Sequence, residues 1–530
     1  MKFPKYIWPT SGILIVIAVS FFGSIWQGQY TVDHLHWGLM LGNAKDLANG
    51  LVPYKEIYIL YGFLTTLIHS IAYLLLGKNL QSLIIVTAAA YVFGMLLIYP
   101  LTNKLVIDRR LATYALVTCF LFHPIAIYPW SNYVAFPFLV LALIFNIRTN
   151  SWRNCFISGL LFGSAVLARE GLAPAVIAYI FASAVVDWLT AAVSRRKVLS
   201  DLMVTLLGVG VPICTFLLYL EMHQALPFWR DIAWYLPKLY AREFFPHMTG
   251  IKLLTPLMGQ ILHGFTHFDF RWILVAFIIL ANIAIILFGL FNKKYRIQLE
   301  RHIKLAIFSL LLLSSSLHLA EIFRISTGSL VGIINVYYLL KLVGVHKISF
   351  IVINGILIVG MFPSGSGNSF STTNYFFPSK EIISRSQLVS APPYFKEQRW
   401  EPMTQQYYQN VSSDLAKIAT VCHIKYHYNQ TYDAFLQILS PFEKLQLAPF
   451  YLSNEMEALR PDLDWKRRLQ ESENLIIFKH APTVQDNADA VQKGFFVFKK
   501  YVTPRTNFIY AKNSLLILVP NRCQEVLQKD

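Results

Sequence analysis

Long apolar runs follow one another from the N-terminus to about residue 363, and the pattern then changes. A membrane-spanning helix needs about 20 mostly apolar residues. Runs near that length fall at 7–26, 58–77, 81–103, 111–129, 131–147, 154–168, 171–188, 202–220, 272–291, 304–320, 328–343 and 348–362. In the gap after the first run, Trp37, Met40, Leu41, Ala44, Leu47 and Ala48 recur at helical spacing. That spacing predicts an amphipathic helix over 35–48, with Gly50 suited to its C-terminal cap and Pro53 against its continuation. The stretch 364–395, rich in Ser, Asn and Pro, reads as a linker. Beyond it, helical patterns (Asp414 to Ile418, Glu443 to Leu447, Trp465 to Glu471) alternate with β-rich runs (Asn474 to Phe478, Phe495 to Lys499, Leu515 to Val519). The chain therefore divides into an α-helical polytopic membrane region, 1–363, and a small α/β domain, 396–530, long enough to bury its own core.

Composition agrees, and charge adds a topology. Only 14% of residues are charged, against roughly 25% in an ordinary soluble domain. The net charge of +17 does not mark a nucleic-acid binder, because the basic residues sit in short links between apolar runs. Lys104, Arg109 and Arg110, Arg148 and Arg153, Arg195 to Lys197, and Lys293 to Arg296 are such links. Positive residues collect on the cytoplasmic side, where they also meet anionic lipid headgroups. With Lys2 and Lys5 inside, an even number of runs separates consecutive basic groups, except between 28 and 104. There, two runs stand where one crossing is required. The run 58–77, which holds His69 and several tyrosines, is read as a helix in the outer leaflet that does not cross. The result is about 11 crossings in the plasma (inner) membrane, with the N-terminus cytoplasmic and the C-terminal domain extracytoplasmic. On that side a bridge between Cys422 and Cys523 is expected to persist.

The same topology gathers polar residues on the outer face: the loops 27–57 and 221–270, the sequence Trp130 to Tyr133, the pair Arg169-Glu170, and the stretch His318 to Arg324. In the first loop, an acidic residue soon after the first helix precedes a small amphipathic helix and then G-L-V-P-Y-K-E-I-Y…Y-G. This arrangement resembles the first loop of the GT-C superfamily of glycosyltransferases, which includes protein O-mannosyltransferases and aminoarabinose transferases. The helix SGLLFGSAVLAREGLAP at 158–174 is similar to that superfamily's glycine-bearing helix, whose cation ends near the active site. The resemblance implies a sugar donor carried on a polyprenyl phosphate, and an aspartate of the first loop beside the reacting sugar.

Transfer from such a donor is a displacement at the anomeric carbon. The acceptor hydroxyl loses a proton as it attacks, which calls for a carboxylate within reach. The leaving phosphate gains charge, which calls for fixed cations. Asp33 is the candidate base, and also a plausible helix cap. Glu56 is a second carboxylate, for sugar binding or assistance. Arg169 and Arg324 are candidates for the phosphate, while His318, Glu321 and Asn132 are candidates for orienting the sugar. The aromatic loop residues Trp229, Trp234, Tyr235, Tyr240, Phe244 and Phe245 belong to an interfacial belt. No cofactor is expected. His263-x3-His267-x-Asp269 has metal-compatible spacing without a further ligand. The expected partners are the polyprenyl-phosphate-sugar donor, a glycan, lipid or protein acceptor, and membrane lipid. A polyprenyl-linked glycan polymerase or ligase fits the same residues. A transporter or flippase requires polar residues at mid-membrane and an internal repeat, and the sequence displays neither.

Overall fold

The computed structural model describes residues 7–30, 33–127, 129–147, 151–190, 194–235, 238, 250–267, 269–317, 320–361, 378–431, 433–444, 474–481, 494–502 and 514–528. In chain order the membrane region is built from α1 (Ile7–Tyr30), α2 (His36–Ala48), α3 (Phe63–Leu76), α4 (Leu80–Leu96), α5 (Ile98–Val106), α6 (Arg109–Phe122), α7 (Ser131–Asn146), α8 (Trp152–Ala168), α9 (Ala173–Thr190) and α10 (Arg195–Met222). There follow α11 (Leu226–Arg230), α12 (Thr255–His267), α13 (Phe270–Phe291), α14 (Lys293–Ser314), α15 (Ile322–Ser326), α16 (Ile333–Leu342) and α17 (His346–Met361). Among the described residues, five segments are long and apolar enough to cross a membrane: Ile13–Tyr30, Leu80–Val106, Glu170–Thr190, Arg195–Met222 and Phe270–Phe291. Shorter apolar helices stand beside them.

Polar residues start several of these helices. Asn79, Asp108, Ser194 and Asp269 each accept a backbone N–H of the turn that follows, which satisfies donors the helix leaves open. Asp269, singled out above for its metal-like spacing, caps α13 in this way and faces Arg271 at 3.6 Å. The helices α8 and α10 pack backbone to backbone. A Cβ on Gly159 would stand 2.1 Å from the Thr205 carbonyl oxygen, and one on Gly208 2.3 Å from that of Phe156. Small residues at such a crossing let two helices approach where lipid supplies no hydrophobic drive.

The structure shortens two expected helices. The run 58–77 is helical only over the 14 residues of α3, because Gly62 and Gly77 both take positive φ. At a rise of 1.5 Å per residue, α3 is about 21 Å long against a hydrocarbon core of about 30 Å. The run 111–129 is helical only to Phe122. Pro124 and Pro129 cannot continue the ladder, and the next helix, α7, starts at Ser131.

The C-terminal domain is α/β. Its described part includes α18 (Lys380–Arg385), inside the stretch read as linker, so 364–395 is not all linker. A short antiparallel pair, β1 (Gln387–Leu388) and β2 (Arg399–Trp400), leads to the long helix α19 (Pro402–Cys422). Further on come β3 (Tyr426–Gln430), α20 (Phe435–Leu439), β4 (Glu443–Lys444), β5 (Leu475–Ala481), β6 (Phe495–Val502), β7 (Ser514–Pro520) and α21 (Gln524–Gln528). The sheet order is β4-β3-β5-β7-β6. Its first two pairings are parallel and its last two antiparallel. Glu443 and Lys444, expected in a helix, form the parallel edge strand β4. The expected helix at Trp465 to Glu471 lies outside the described residues. Cys422 and Cys523 are both buried and unbridged, with their thiols in hydrogen-bond contact. One apolar cluster runs without a break from the membrane helices through Trp37, Met40 and Leu41 of α2 into Phe395, Trp400 and Phe435 of the domain.

Candidate functional site

Asp33 stands at the start of α2, where its side chain is buried. One carboxylate oxygen accepts the His36 backbone N–H at 2.8 Å, and the other meets the His36 ring Nδ1 at 2.8 Å. Asp33 is thus a cap and, through the imidazole, one end of a chain of rings. The His36 ring lies 4.9 Å from Trp130 and 6.2 Å from Tyr61, centroid to centroid. Trp130 in turn stacks on Phe323 at 5.7 Å. Those rings lead to the N-terminal turn of α7 and to α15, which carry Asn132 and Arg324.

There a small, partly open cleft is lined by Asn132, Arg169, Arg324, Ser315 and Thr327 together with Leu139, Leu172, Leu312 and Gly328. Arg169 follows the last residue of α8, and the charges of Arg324 and Glu321 both act on it. Arg324 donates through Nε to Glu321 at 2.5 Å, leaving the rest of its guanidinium for the cavity. Asn132 is 4% exposed, and its side-chain nitrogen has no hydrogen-bond partner among the described residues. A buried amide donor costs roughly 1–3 kcal/mol when unpaired. Two guanidiniums and an unused donor thus line one small space.

The first loop is sewn to this site at Gly62. That residue has φ +90°, and a Cβ there would lie 2.2 Å from the Ala168 carbonyl oxygen. The Thr65 hydroxyl donates to the same oxygen at 2.7 Å. The loop therefore passes against the last turn of α8, one residue before Arg169. Beyond Arg169, Glu170 accepts the Tyr54 hydroxyl and, at 3.4 Å, the Trp229 indole. Burial and the neighbouring Glu170 carboxylate push the Tyr54 phenol well above its usual range, so it remains a donor.

Of the residues proposed from sequence, the structure brings Asn132, Arg169 and Arg324 to one cavity. Glu321 reaches it through Arg324, and Asp33 connects to it through His36 and Trp130. Glu56 does not join them. It is exposed and accepts the Val52 N–H at 2.7 Å, closing a turn of its own loop. His318 lies outside the described residues. His263 and His267 stack at 4.0 Å, away from Asp269's capping role, and no metal-holding group of three or more His, Cys, Asp or Glu occurs among the described residues. Asn429, whose Asn-Gln-Thr sequence fits a glycosylation acceptor, is buried and spends both ends of its amide inside a turn, on Thr431 and Asp433.

Sequence reading missed Tyr54, His36, Ser315 and Thr327, and placed Trp229 only in an interfacial belt. It also placed all charge and polarity at helix ends. The structure instead holds a polar set within the bundle: Asn335 donates to Asn282 at 2.7 Å and meets His302 Nδ1 at 2.7 Å. Lys304 stands between Asp187 and Glu300 nearby, 2.9 Å from the latter.

No protein-family model matches the chain, and no curated protein matches it significantly in sequence. Among solved structures, the chain is similar in fold to the crystal structure of ArnT from Cupriavidus metallidurans in the apo state, with a TM-score of 0.53 and 12% identity over 96% of this chain and 98% of that one. The chain thus shares the polytopic helical membrane fold of that structure.

Proposed function

We propose that the chain is a glycosyltransferase that moves a sugar from a polyprenyl-phosphate donor to an acceptor hydroxyl on the extracytoplasmic side of the membrane. The convergence of Arg169, Arg324 and the unpaired Asn132 donor on one cavity carries this reading. The fold likeness to ArnT, a GT-C aminoarabinose transferase, supports it. The donor phosphate occupies the cavity between the two guanidiniums, with its lipid tail among the neighbouring helices. As the acceptor oxygen attacks the anomeric carbon, its proton passes to the Asp33 carboxylate, which His36 holds in place. The bond from that carbon to the phosphate oxygen breaks, and the phosphate keeps the electron pair. Its added negative charge is met by Arg169 and Arg324, whose preorganisation is where such a site gains rate.

The test is mass spectrometry of cell-surface glycans and lipids with and without the gene, and with Asp33→Asn restored in its place. One sugar modification is expected to vanish on deletion and to stay absent with the variant. An unchanged surface on deletion overturns the reading.

Among the described residues, the polar set within the bundle is what a transporter reading would rest on. Both ends of the Asn282 and Asn335 amides are bonded to protein. That supports helix-to-helix glue over a substrate path.

A further inference from the structure

The soluble domain holds α2 from the residues just before it to its last turn. The Ala434 N–H donates to the His34 carbonyl at 3.0 Å, one residue after Asp33. One turn on, a Cβ at Gly38 would stand 2.7 Å from the Ala434 Cβ and 2.9 Å from the Phe435 nitrogen. Lys45 donates to the Ile438 carbonyl at 3.1 Å, and Lys444 pairs with Asp46. Between these polar ends, Trp37 and Leu41 share a fully buried cluster with Phe435 and Ile438. Asp33 takes both of its hydrogen bonds from His36, the first residue of α2. Whatever displaces α2 therefore displaces the carboxylate.

We infer that the soluble domain is a positioning part of the site: through Ala434, Ile438 and Lys444 it fixes α2, and through α2 it sets where Asp33 stands. The inference rests on the reading of Asp33 as the base. A domain that merely covered the membrane site would need only loose apolar contact. This one donates a backbone N–H to the loop itself and meets a glycine that leaves no room for a side chain. A displacement of about 1 Å at a reacting group costs on the order of 100-fold in rate, so the grip on α2 has a kinetic consequence.

The experiment uses the full chain in lipid nanodiscs, with Asp46→Lys, Lys444→Asp and the double exchange. Hydrogen exchange of the α2 amides is expected to quicken roughly 5- to 30-fold in each single variant, the factor for a loss of one or two kcal/mol. It should return most of the way in the double variant. Sugar transfer in cells should fall and recover in the same order. Binding of a polyprenyl monophosphate probe should not change, since Arg169 and Arg324 are untouched. Gly38→Ala leaves the charges alone and is expected to quicken α2 exchange as well. Wild-type exchange in the two single variants and in Gly38→Ala overturns the clamp, as does a double variant no better than the singles. Full probe binding by Arg324→Ala sinks the phosphate reading instead and leaves the exchange result standing.

Discussion

Around Asn335 the polar groups of the bundle bind each other. Its amide nitrogen serves Asn282 and the His302 carbonyl, its oxygen faces the His302 ring, and Asn282 reaches the Gly332 carbonyl. Around Asn132 the groups do not close on themselves. A buried amide nitrogen has no partner among the described residues, Arg324 pairs with Glu321 whose charge also acts on Arg169, and a small cavity is lined by both guanidiniums. Both sets sit between apolar helices, and both would be costly in hydrocarbon if left unpaired. The first has spent its hydrogen-bonding capacity on protein and holds helices together. The second keeps capacity in reserve, at a cost in stability that only a ligand returns. Each set has a buried asparagine at its centre; what separates them is whether that amide's bonds are already made.

The sharpest way to break this contrast is to remove the cations. Arg324→Ala or Arg169→Ala is expected to cut turnover about 10²- to 10³-fold, the range for loss of one preorganised donor to developing charge. Thermal stability should hold or rise, because two like charges no longer face each other. A large loss of stability with normal turnover in the surviving protein would move this set into the same class as the Asn335 set. Asp33→Asn is expected to lose about 100-fold or more in transfer while keeping its bond to the His36 N–H. The readout is the rate of appearance of the modified acceptor, with α2 hydrogen exchange as the control for folding.

Gly62 tests whether the open set depends on the first loop. Alanine at φ +90°, with its Cβ directed at the Ala168 carbonyl oxygen 2.2 Å away, is strained by roughly 1–3 kcal/mol. The loop must then leave the end of α8, and Arg169 shifts with it. Gly62→Ala should lower both the melting temperature and the affinity for polyprenyl phosphate, whereas Gly50→Ala, in open space, should lower only the former, and by less.

The two sets were not equally legible in the sequence. Arg169 stands out because it interrupts an apolar run, and Asp33 because it opens an amphipathic helix. Glu56 has the same surroundings on paper as Asp33. Only the fold separates them, since Glu56 folds back on Val52 while Asp33 faces inward. Asn282 and Asn335 are single polar residues in apolar stretches, too dilute to break a hydropathy run, and His302 is one polar residue among many in the charged stretch 293–304. Their pairing spans 33 to 53 residues of chain. The ties from Glu170 to Tyr54 and Trp229 cross 116 and 59 residues and are equally invisible to local pattern. The bonds between α2 and the soluble domain cross nearly 400 residues, so that domain looked chemically idle in the sequence. Helices were readable, and so was the β-rich tail; which polar residues meet each other was not.

The finest test sets two asparagines against each other. Asn132→Ala and Asn335→Ala delete the same amide from buried positions. At Asn335 the deletion strands the Asn282 oxygen and the His302 ring. Stability should fall by about 0.6 kcal/mol, and by no more than about 2, the range measured for hydrogen bonds between membrane helices. Turnover should be unchanged, because none of those atoms touches the cavity. At Asn132 the deleted nitrogen bonds nothing among the described residues, so stability should be level or slightly improved. If that nitrogen donates to the charged phosphate, its loss removes a bond worth roughly 1.5–3 kcal/mol. Binding of polyprenyl phosphate should then weaken about tenfold or more. Thermal melting and probe titration on both variants in the same nanodiscs read the two quantities side by side. If both variants lose stability and neither loses affinity, the asparagine at the cavity is glue like the other.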